Sequence, residues 1–277
     1  MLVFNTIAET QEYLKKQNKT IGFVPTMGAL HAGHISLIER AKTENELAVC
    51  SIFVNPTQFN NPEDLKKYPR TLEKDCEMLE AAGCDVVFAP SAEEMYPNLP
   101  ALKFDFGSLE TVMEGKFRPG HFNGVGIVVA KLFHIVKPTK AYFGLKDLQQ
   151  VAVIRRMVND LSFDLELIPC PTLREPDGLA MSSRNTRLSP EVRALAPQIF
   201  KALNLAKESL QKVGNINLAK ESVNQHFRQY PEFELEYFEI SDFDTLEPLE
   251  SYDKSKKAAL CIAAFLGGVR LIDNILV

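Results

Sequence analysis

The chain has 277 residues, of which 45% are hydrophobic and 24% charged, the composition of a globular protein with a large core. A net charge of -5 argues against nucleic acid or an anionic membrane as the main partner, while leaving room for a local basic pocket. No apolar run approaches the roughly 18 residues of a membrane span, and the first residues lack a secretory signal pattern. Five cysteines without a C-x-x-C pair indicate buried thiols in a reducing cytoplasm, not disulfides or a zinc site.

Short apolar segments alternate with helical patterns from Ile21 to Cys170. The predicted strands are "IGFVP", "AVCSIFV", "DVVFAP", "KAYFG" and "LELIPC". Their nearly continuous apolarity predicts burial on both faces. The helical patterns between them are "HISLIERAKTE", "PEDLKKYPRTLEKDCEMLEAAG", "FNGVGIVVAKLFHIV" and "LKDLQQVAVIRRMVNDL", the second closed by Gly83 as a C-cap glycine. This alternation predicts an α/β fold, with a parallel sheet covered by helices on both faces.

The sequence pattern changes after Pro171. A polar, turn-rich segment, "TLREPDGLAMSSRNTRLSP", precedes two helical patterns, "PEVRALAPQIFKALNLAKESL" and "NLAKESVNQHFRQY". Three apparent strands follow, "FELEYFEIS", "AALCIAAFL" and "VRLIDNILV". We therefore predict two domains, a parallel-sheet domain over residues 1–174 and a smaller α+β domain over residues 175–277.

Polar segments follow four of the predicted strands of the parallel sheet. They are "TMGALHAGH", "NPTQF", "GLKDLQQ" and "LREPDGLAMSSRN". Ligands of open parallel sheets bind outside the carboxyl ends of the strands, which meet at one edge. The concentration of polar residues at that edge predicts a binding site there.

His31 and His34 lie three residues apart at the start of a predicted helix. Unpaired N–H groups and the helix dipole favour an anion at this position, and Gly33 lets a ligand approach the backbone. Taken alone, a pair of surface histidines near a cap would be the better explanation. No third Cys, Asp or Glu lies nearby at the spacing of a metal ligand, so a zinc site is not expected.

Other residues at this edge suit a phosphate or a small polar ligand. Lys146 offers a point charge, Asp147 an acceptor for hydroxyls, and "MSSRN" two hydroxyls and a guanidinium. Gln58 and Gln150 suit a ligand that carries both a carboxylate and hydroxyls. Taken alone, "MSSRN" is better explained as a helix cap or turn, the Lys146–Asp147 pair is as typical of a charged helix start, and the glutamines are as typical of an exposed surface. The segment "EGKFRPGHFNGV" is either a mobile cover or a loop before a helix.

Six motifs, in their order and spacing, resemble the pantothenate synthetase family, also called pantoate–β-alanine ligases (AMP-forming). They are "PTMGALHAGH", "VNPTQF", "YPR", "RPGHFNGV", "AYFGLKDLQQ" and "DGLAMSSRN", and the resemblance covers nearly the whole chain. P-loop, dinucleotide-binding and G-x-S-x-G fingerprints are absent. Instead, "HAGH" resembles the HxGH signature of nucleotidyltransferases and class I aminoacyl-tRNA synthetases, and "MSSRN" lies where that superfamily has its KMSKS-type loop.

The resemblance implies a Rossmann-like ATP domain, a C-terminal lid domain and a homodimer in the cytoplasm. It implies that ATP, with Mg²⁺, activates (R)-pantoate as pantoyl-adenylate, which β-alanine converts to pantothenate with release of AMP; pyrophosphate leaves in the first step. Two alternatives are another HxGH nucleotidyltransferase, acting on a phosphorylated alcohol, and a catalytically inactive nucleotide-binding or scaffold protein. Complete motifs argue against the inactive protein.

The resemblance also implies roles for individual residues. His34 corresponds to the family's assigned proton donor, and Asp75 is a candidate metal contact. Gln58 would contact pantoate and β-alanine, and Gln150 pantoate. Leu145 and Leu173 depart from the family pattern, so neither side chain is expected to be essential. The implied catalytic residues are His31, His34, Lys146, Ser182, Ser183 and Arg184. The implied ATP-binding residues are Met27, Gly28, Ala29, Leu30, His31, Ala32, Gly33, His34, Gly144, Leu145, Lys146, Asp147, Leu173, Met181, Ser182, Ser183 and Arg184.

Overall fold

The computed structural model describes residues 1–59 and 62–277, and its larger layer is a parallel sheet of six strands. The strands are β1 (Leu2–Phe4), β2 (Ile21–Thr26), β3 (Leu47–Ile52), β4 (Val86–Phe88), β5 (Lys140–Gly144) and β6 (Glu166–Cys170). They run parallel in the order β1-β4-β3-β2-β5-β6. The order reverses between β2 and β5, so the carboxyl ends of these two strands border the crevice in which such sheets bind ligands.

Helices cover both faces of this sheet, as the alternating pattern predicts. They are α1 (Ile7–Lys15), α2 (Ala32–Glu44), α3 (Pro62–Lys67), α4 (Leu72–Ala81), α5 (Ala92–Met95), α6 (Met113–Phe117), α7 (His121–Val136) and α8 (Leu148–Asp160). Phe23 packs with Phe133 of α7 on one face, whereas Val24 belongs with Ile38 of α2 to the core on the other. Successive strand residues face opposite cores, which explains the continuous apolarity of the strand sequences. Within the described ranges, no helix is long and apolar enough to cross a lipid bilayer.

Two predicted helices are each broken in the structure. The pattern from Pro62 to Gly83 is divided between α3 and α4, and the chain leaves the helix at Tyr68 and Pro69. Proline has no N–H and disfavours helical geometry in the residue before it. Pro197 divides the first helical pattern of the C-terminal part because it has no N–H to donate within the helix, although Ala196 before it keeps helical backbone angles. Gly83 follows α4 with φ of 80°, as expected of a C-cap glycine.

The C-terminal part is an α+β unit, as predicted. Its elements are α9 (Pro190–Leu195), α10 (Gln198–Val213), α11 (Ile216–Phe227), β7 (Phe233–Asp242), β8 (Ala258–Leu266) and β9 (Val269–Leu276). The three strands form an antiparallel sheet in the order β7-β8-β9. Ile199 and Leu203 of α10 share a fully buried core with Leu260 and Ile262 of β8. The antiparallel sheet is therefore covered by helices on one face.

The two parts are joined by an apolar contact and by ion pairs. Phe122 and Leu148 from the first part belong to one buried cluster with Ala259 and Cys261 of β8. Arg270 of β9 contacts Glu114 of α6 at 2.6 Å. The boundary between residues 174 and 175, and the motion of the C-terminal part as a lid, stay predictions.

Candidate active site

A cleft of about 480 Å³ lies at the carboxyl ends of the strands, where the sequence predicts a site. Residues that follow β2, β3, β5 and β6 line it, together with the segment around Met181. Predicted site residues in its lining are Met27, His31, Gly33, His34, Gln58, Gly144, Lys146, Asp147, Gln150, Leu173, Met181, Ser182, Ser183 and Arg184. The structure thus brings four separate polar segments together around one space, and their contacts with ligands stay predictions.

The remaining predicted site residues lie outside the lining of the cleft. They are Gly28, Ala29, Leu30, Ala32, Leu145 and Asp75. The side chain of Leu30 is 8% exposed and packs in the core beside Leu37. Leu145 packs in the apolar cluster that joins the two parts of the chain. These two side chains support the site from behind, so a ligand would reach their residues only through the backbone.

The loop after β2 has an unusual backbone that a buried carboxylate holds in place. Gly28 and Ala29 have φ values of 82° and 51°, the second being costly for a residue with a Cβ. The carboxylate of Asp75, 1% exposed, accepts the N–H of Ala29 at 2.9 Å and that of Leu30 at 2.8 Å. The hydroxyl of Thr71 donates to the same carboxylate at 3.1 Å. Asp75 therefore fixes the turn that delivers the histidines to the cleft.

These contacts bear on the predicted metal contact at Asp75. Both of its oxygens accept backbone N–H groups, and the residue does not line the cleft. Among residues 1–59 and 62–277 there is no group of three His, Cys, Asp or Glu side chains able to hold a metal ion. The described residues therefore do not fit a metal ion held by the protein alone. The assignment at Asp75 stays a prediction, and no chemical step is derived from it.

His31 and His34 cap the start of α2 through each other. His31 is the N-cap residue, and its Nδ1 accepts the N–H of Gly33 at 3.1 Å. The Nδ1 of His34 accepts the N–H of His31 at 3.4 Å, and the two ring centroids lie 4.1 Å apart. This is a capping box made from two imidazoles. His31 precedes the helix as its N-cap and His34 lies in its first turn, as the predicted position at a helix start requires.

The capping contacts define the protonation of both rings. A nitrogen that accepts an N–H carries no proton, so each neutral ring carries its proton on Nε2. Burial, and secondarily the neighbouring His31, lowers the pKa of His34 to about 3. Burial and the charge of Lys146 also lower the pKa of His31. At neutral pH the pair is therefore uncharged and offers two Nε2–H donors.

The side chains of Asn55 and Met27 hold Gln58 in the lining of the cleft. The Oε1 of Gln58 accepts from Asn55 at 3.1 Å, and its Nε2 lies 2.9 Å from the sulfur of Met27. Asn55 also donates to the carbonyl of Gly124 at 3.1 Å. A Cβ on Gly124 would lie 2.4 Å from the carbonyl oxygen of Thr57, so only glycine allows this approach. The amide of Gln58, 8% exposed, is thereby preorganised at the cleft.

Cationic groups line the same cleft as the histidines. The ammonium of Lys146 is 3.7 Å from the carboxylate of Asp147, and only 20% of the lysine side chain is exposed. Ser182 caps the 3₁₀ turn Ser183–Arg187 by accepting the N–H of Arg184 at 3.3 Å. Lys146, Ser182 and Arg184 also border a smaller adjoining cavity. Together with the neutral histidine donors, these groups form a surface suited to a polyanion such as a triphosphate.

The cleft lining also includes side chains to which the sequence assigned no role, and three of them belong to the family motifs. They are Tyr68, Arg118 and His121. The motifs "YPR" and "RPGHFNGV" contain them. The sequence therefore marked these residues but did not indicate what each one does. The Nδ1 of His121 lies 2.9 Å from the carbonyl of Gln58 and must donate to it, which leaves Nε2 without a proton. Burial, with the charge of Arg118, lowers the pKa of His121 to about 4. The segment is partly helical, as α6 and the start of α7.

Comparison with known proteins decides the family. The model of the family described as "Pantoate-beta-alanine ligase" matches residues 2–276. The chain belongs to this family. The pantothenate synthetase of Cytophaga hutchinsonii is 53% identical over 264 residues, covering 95% of this chain and 93% of the relative. The resemblance read from the six motifs is therefore confirmed.

Solved structures of two family members agree with the fold. The crystal structure of the enzyme from Thermus thermophilus has a TM-score of 0.94 at 46% identity, with 99% of each chain covered. The ligase from Francisella tularensis has a TM-score of 0.78 at 37% identity, covering all of this chain and 97% of the other. It is described as complexed with beta-gamma ATP and beta-alanine. The predicted fold class, a parallel-sheet domain followed by a smaller α+β part, is confirmed.

Proposed function

We propose that this member of the family condenses (R)-pantoate with β-alanine, using ATP and forming pantoyl-adenylate on the way. One observation carries the proposal. A single cleft brings together the two HxGH histidines, Lys146, the Ser182–Arg184 segment and the buried amide of Gln58. The ATP and β-alanine bound by the Francisella tularensis relative support the same ligands here.

A free carboxylate does not acylate an amine, because oxide is not a viable leaving group. In the proposed first step, a carboxylate oxygen of pantoate attacks the α-phosphorus of ATP, and the bond to pyrophosphate breaks. In the second step, the deprotonated amine of β-alanine attacks the acyl carbon and AMP leaves. Little covalent chemistry falls to the protein, so positioning and charge stabilisation supply most of the catalysis.

The phosphate groups would occupy the donor-rich side of the cleft. In this proposal the Nε2–H groups of His31 and His34 donate to phosphate oxygens on which charge develops. Lys146 and the Ser182–Arg184 segment hold the triphosphate and the leaving pyrophosphate. The nucleotide lies beside Met181 and beside the backbone of Met27 to His34, of Gly144 to Asp147 and of Leu173. The carboxylate of Asp147 accepts from its hydroxyls.

The low pKa of His34 shapes its proposed role. A ring whose pKa is about 3 is unprotonated on Nδ1 at neutral pH, and capping occupies that nitrogen. We therefore assign His34 as a neutral hydrogen-bond donor to the phosphate, and not as an imidazolium that delivers a whole proton. A neutral donor suits the step, because pyrophosphate leaves as an anion and needs no proton to depart.

The pantoate side of the cleft would be built from amides. Gln58 and Gln150 would bind the carboxylate and hydroxyls of pantoate, and Gln58 would also contact β-alanine. The contacts of Gln58 with Asn55 and Met27 fix its orientation before a ligand arrives. Fixed donors and acceptors lose little entropy on binding, which favours an amide over a flexible charged side chain here.

The proposal also covers the metal ion, the oligomeric state and the cellular compartment. Mg²⁺ would enter on the triphosphate oxygens, since the described residues offer no cluster of ligands for it. We also propose a cytoplasmic homodimer whose residues 175–277 close over the cleft. Free thiols at all five cysteines are compatible with a reducing compartment.

Isotope exchange between pyrophosphate and ATP tests the proposed order of steps. Exchange should require pantoate and proceed without β-alanine, because only adenylation is needed to incorporate labelled pyrophosphate. Mass spectrometry of the complete mixture should then find pantothenate and AMP in equal amounts. Exchange that needs no pantoate, or that appears only with β-alanine, would contradict the adenylate mechanism.

A further inference from the structure

Asn274, in the last strand β9, reaches the turn that carries Lys146. Its Nδ2 donates to the carbonyl of Leu145 at 2.8 Å and to that of Lys146 at 2.9 Å. These carbonyls belong to the 3₁₀ turn Leu145–Asp147, between β5 and α8. Asn274 itself is 6% exposed. Both amide hydrogens of one buried side chain thus hold two successive residues of the turn.

The position of Asn274 is itself fixed from the opposite side. Its N–H donates to the carboxylate of Asp273 at 2.7 Å, and its carbonyl accepts from Arg174 at 3.1 Å. Arg174 also donates to both oxygens of Asp273, at 2.6 and 3.0 Å, and stacks on Phe200 with 3.9 Å to the ring centroid. A bidentate, stacked guanidinium has little freedom to move. β9 therefore presents the amide of Asn274 in one orientation.

We infer that Asn274 is a positioning residue, which sets where the ammonium of Lys146 meets the phosphate groups. The lysine has a flexible stem, so the range its charge can reach depends on the position of its backbone. A displacement of about 1 Å in a reacting or stabilising group can lower a rate by about 10²-fold. The C-terminal part would thus contribute to adenylation through the turn at Lys146, in addition to any covering of the cleft. This inference rests on the proposed function, since it needs Lys146 to act on phosphate.

Two substitutions at Asn274 test the inference. Asn274→Asp keeps the shape but replaces the donor with an oxygen that faces two carbonyls, and Asn274→Leu removes the donor without adding charge. Either should lower the maximal rate of pantoate-dependent pyrophosphate exchange by about 10- to 100-fold. The KM for pantoate should stay unchanged, because Gln58 and Gln150 are not displaced. Thermal unfolding shows whether each variant is folded at the assay temperature.

Asn204 supplies a matched control in the same part of the chain. Its Nδ2 also donates to a backbone carbonyl, that of Phe200 at 2.8 Å, within α10. Asn204→Asp should therefore lose one comparable hydrogen bond and leave the exchange rate within about twofold of the wild type. An equal loss of exchange in Asn204→Asp would show that the effect is general destabilisation, and would overturn the inference.

A double-mutant cycle with Lys146 distinguishes positioning from simple attachment of the two parts. If Asn274 acts through Lys146, adding Asn274→Leu to Lys146→Ala should cause no further fall in the exchange rate. A further fall by the same factor as in the wild type would overturn the inference, as would wild-type exchange in both Asn274 variants. A wild type that fails to exchange would instead refute the proposed function, and the inference with it.

Discussion

Lys146 illustrates how a single side chain can serve the reaction at little cost to the fold. Its side chain is one-fifth exposed and its nearest charge is Asp147, at 3.7 Å. A pair at this distance, with a half-exposed carboxylate at the cleft, contributes little to stability. Its value lies in a charge fixed beside a space that can hold a polyanion, where a preorganised charge acts without solvent reorganisation.

Lys146→Ala should lower pantoate-dependent pyrophosphate exchange by about 10²-fold or more, the usual effect of losing one preorganised transition-state donor. The free energy of unfolding should change by less than about 1 kcal/mol, because only a long ion pair with the half-exposed Asp147 is lost. Exchange kinetics and urea denaturation measure the two effects. Near-wild-type exchange would exclude Lys146 from the mechanism.

His34 links acid sensitivity to the geometry of the cap. Its pKa is about 3 when folded and near 6.5 when unfolded, so below pH 6.5 the unfolded chain binds a proton that the folded chain does not. Stability is therefore unaffected above pH 7 and falls as the pH drops from 6.5 towards 3. His34→Asn should remove up to about 2 kcal/mol of the loss in unfolding free energy between pH 7 and pH 5.

Denaturation of the wild type and of His34→Asn at several pH values measures this slope directly. Identical slopes for the wild type and His34→Asn would show that His34 is already protonatable in the folded protein, and its assignment as a neutral donor would fail.

At the scale of elements, the strands could be predicted and the loop geometry could not. Phe23 and Val24, for example, lie in a short, continuous apolar run. This local pattern is enough to predict a strand that is buried on both faces. The left-handed turn at Gly28 and Ala29 depends on Asp75, 46 residues beyond Ala29, and no local pattern reveals this contact. β1 was missed because its three residues become a strand only by pairing with β4.

Asp75→Asn tests whether this residue orders the turn. The substitution puts an amide nitrogen where an oxygen accepted the N–H of Ala29 or Leu30, which leaves a buried donor unpaired. We expect a loss of about 1–3 kcal/mol in unfolding free energy. The KM for ATP should also rise, because the turn delivers His31 and His34. Thermal denaturation measures the loss of stability, and exchange kinetics at varied ATP concentration measure the KM.

The magnesium dependence of the same variant separates this role from metal contact. If Asp75 only orders the turn, the Mg²⁺ concentration for half-maximal exchange should match that of the wild type when ATP is saturating. A large rise in that concentration, with unchanged stability, would support the predicted metal contact instead.

For the whole molecule, a buried group of charges joins the two parts beside the cleft. Arg270 of β9 donates to Glu114 of α6 at 2.6 and 2.8 Å, and also to Glu236 of β7. Tyr237 donates to Glu114 at 3.0 Å, and Arg118, which lines the cleft, lies 3.7 Å from the same carboxylate. The side chains of Arg270, Glu114 and Glu236 are all no more than 14% exposed. Arg118 therefore connects this group of charges to the proposed substrate space.

Arg270→Met should cost about 3–5 kcal/mol of unfolding free energy, because two buried carboxylates lose their shared cation. Glu114 would keep the hydroxyl of Tyr237 and the more distant Arg118. Arg228→Met is the matched control, since its ion pair with Glu221 is mostly exposed and should contribute less than about 1 kcal/mol. Adding Glu114→Gln and Glu236→Gln to Arg270→Met removes the unpaired charges and should restore part of the lost stability. Urea denaturation of the wild type, the two single variants and the triple variant measures these differences. If Arg270→Met were no more harmful than Arg228→Met, the charges around Arg270 would not hold the two parts together. The apolar contact around Phe122 and Cys261 and the hydrogen bonds of Asn274 to the turn at Lys146 would then be the contacts that do so.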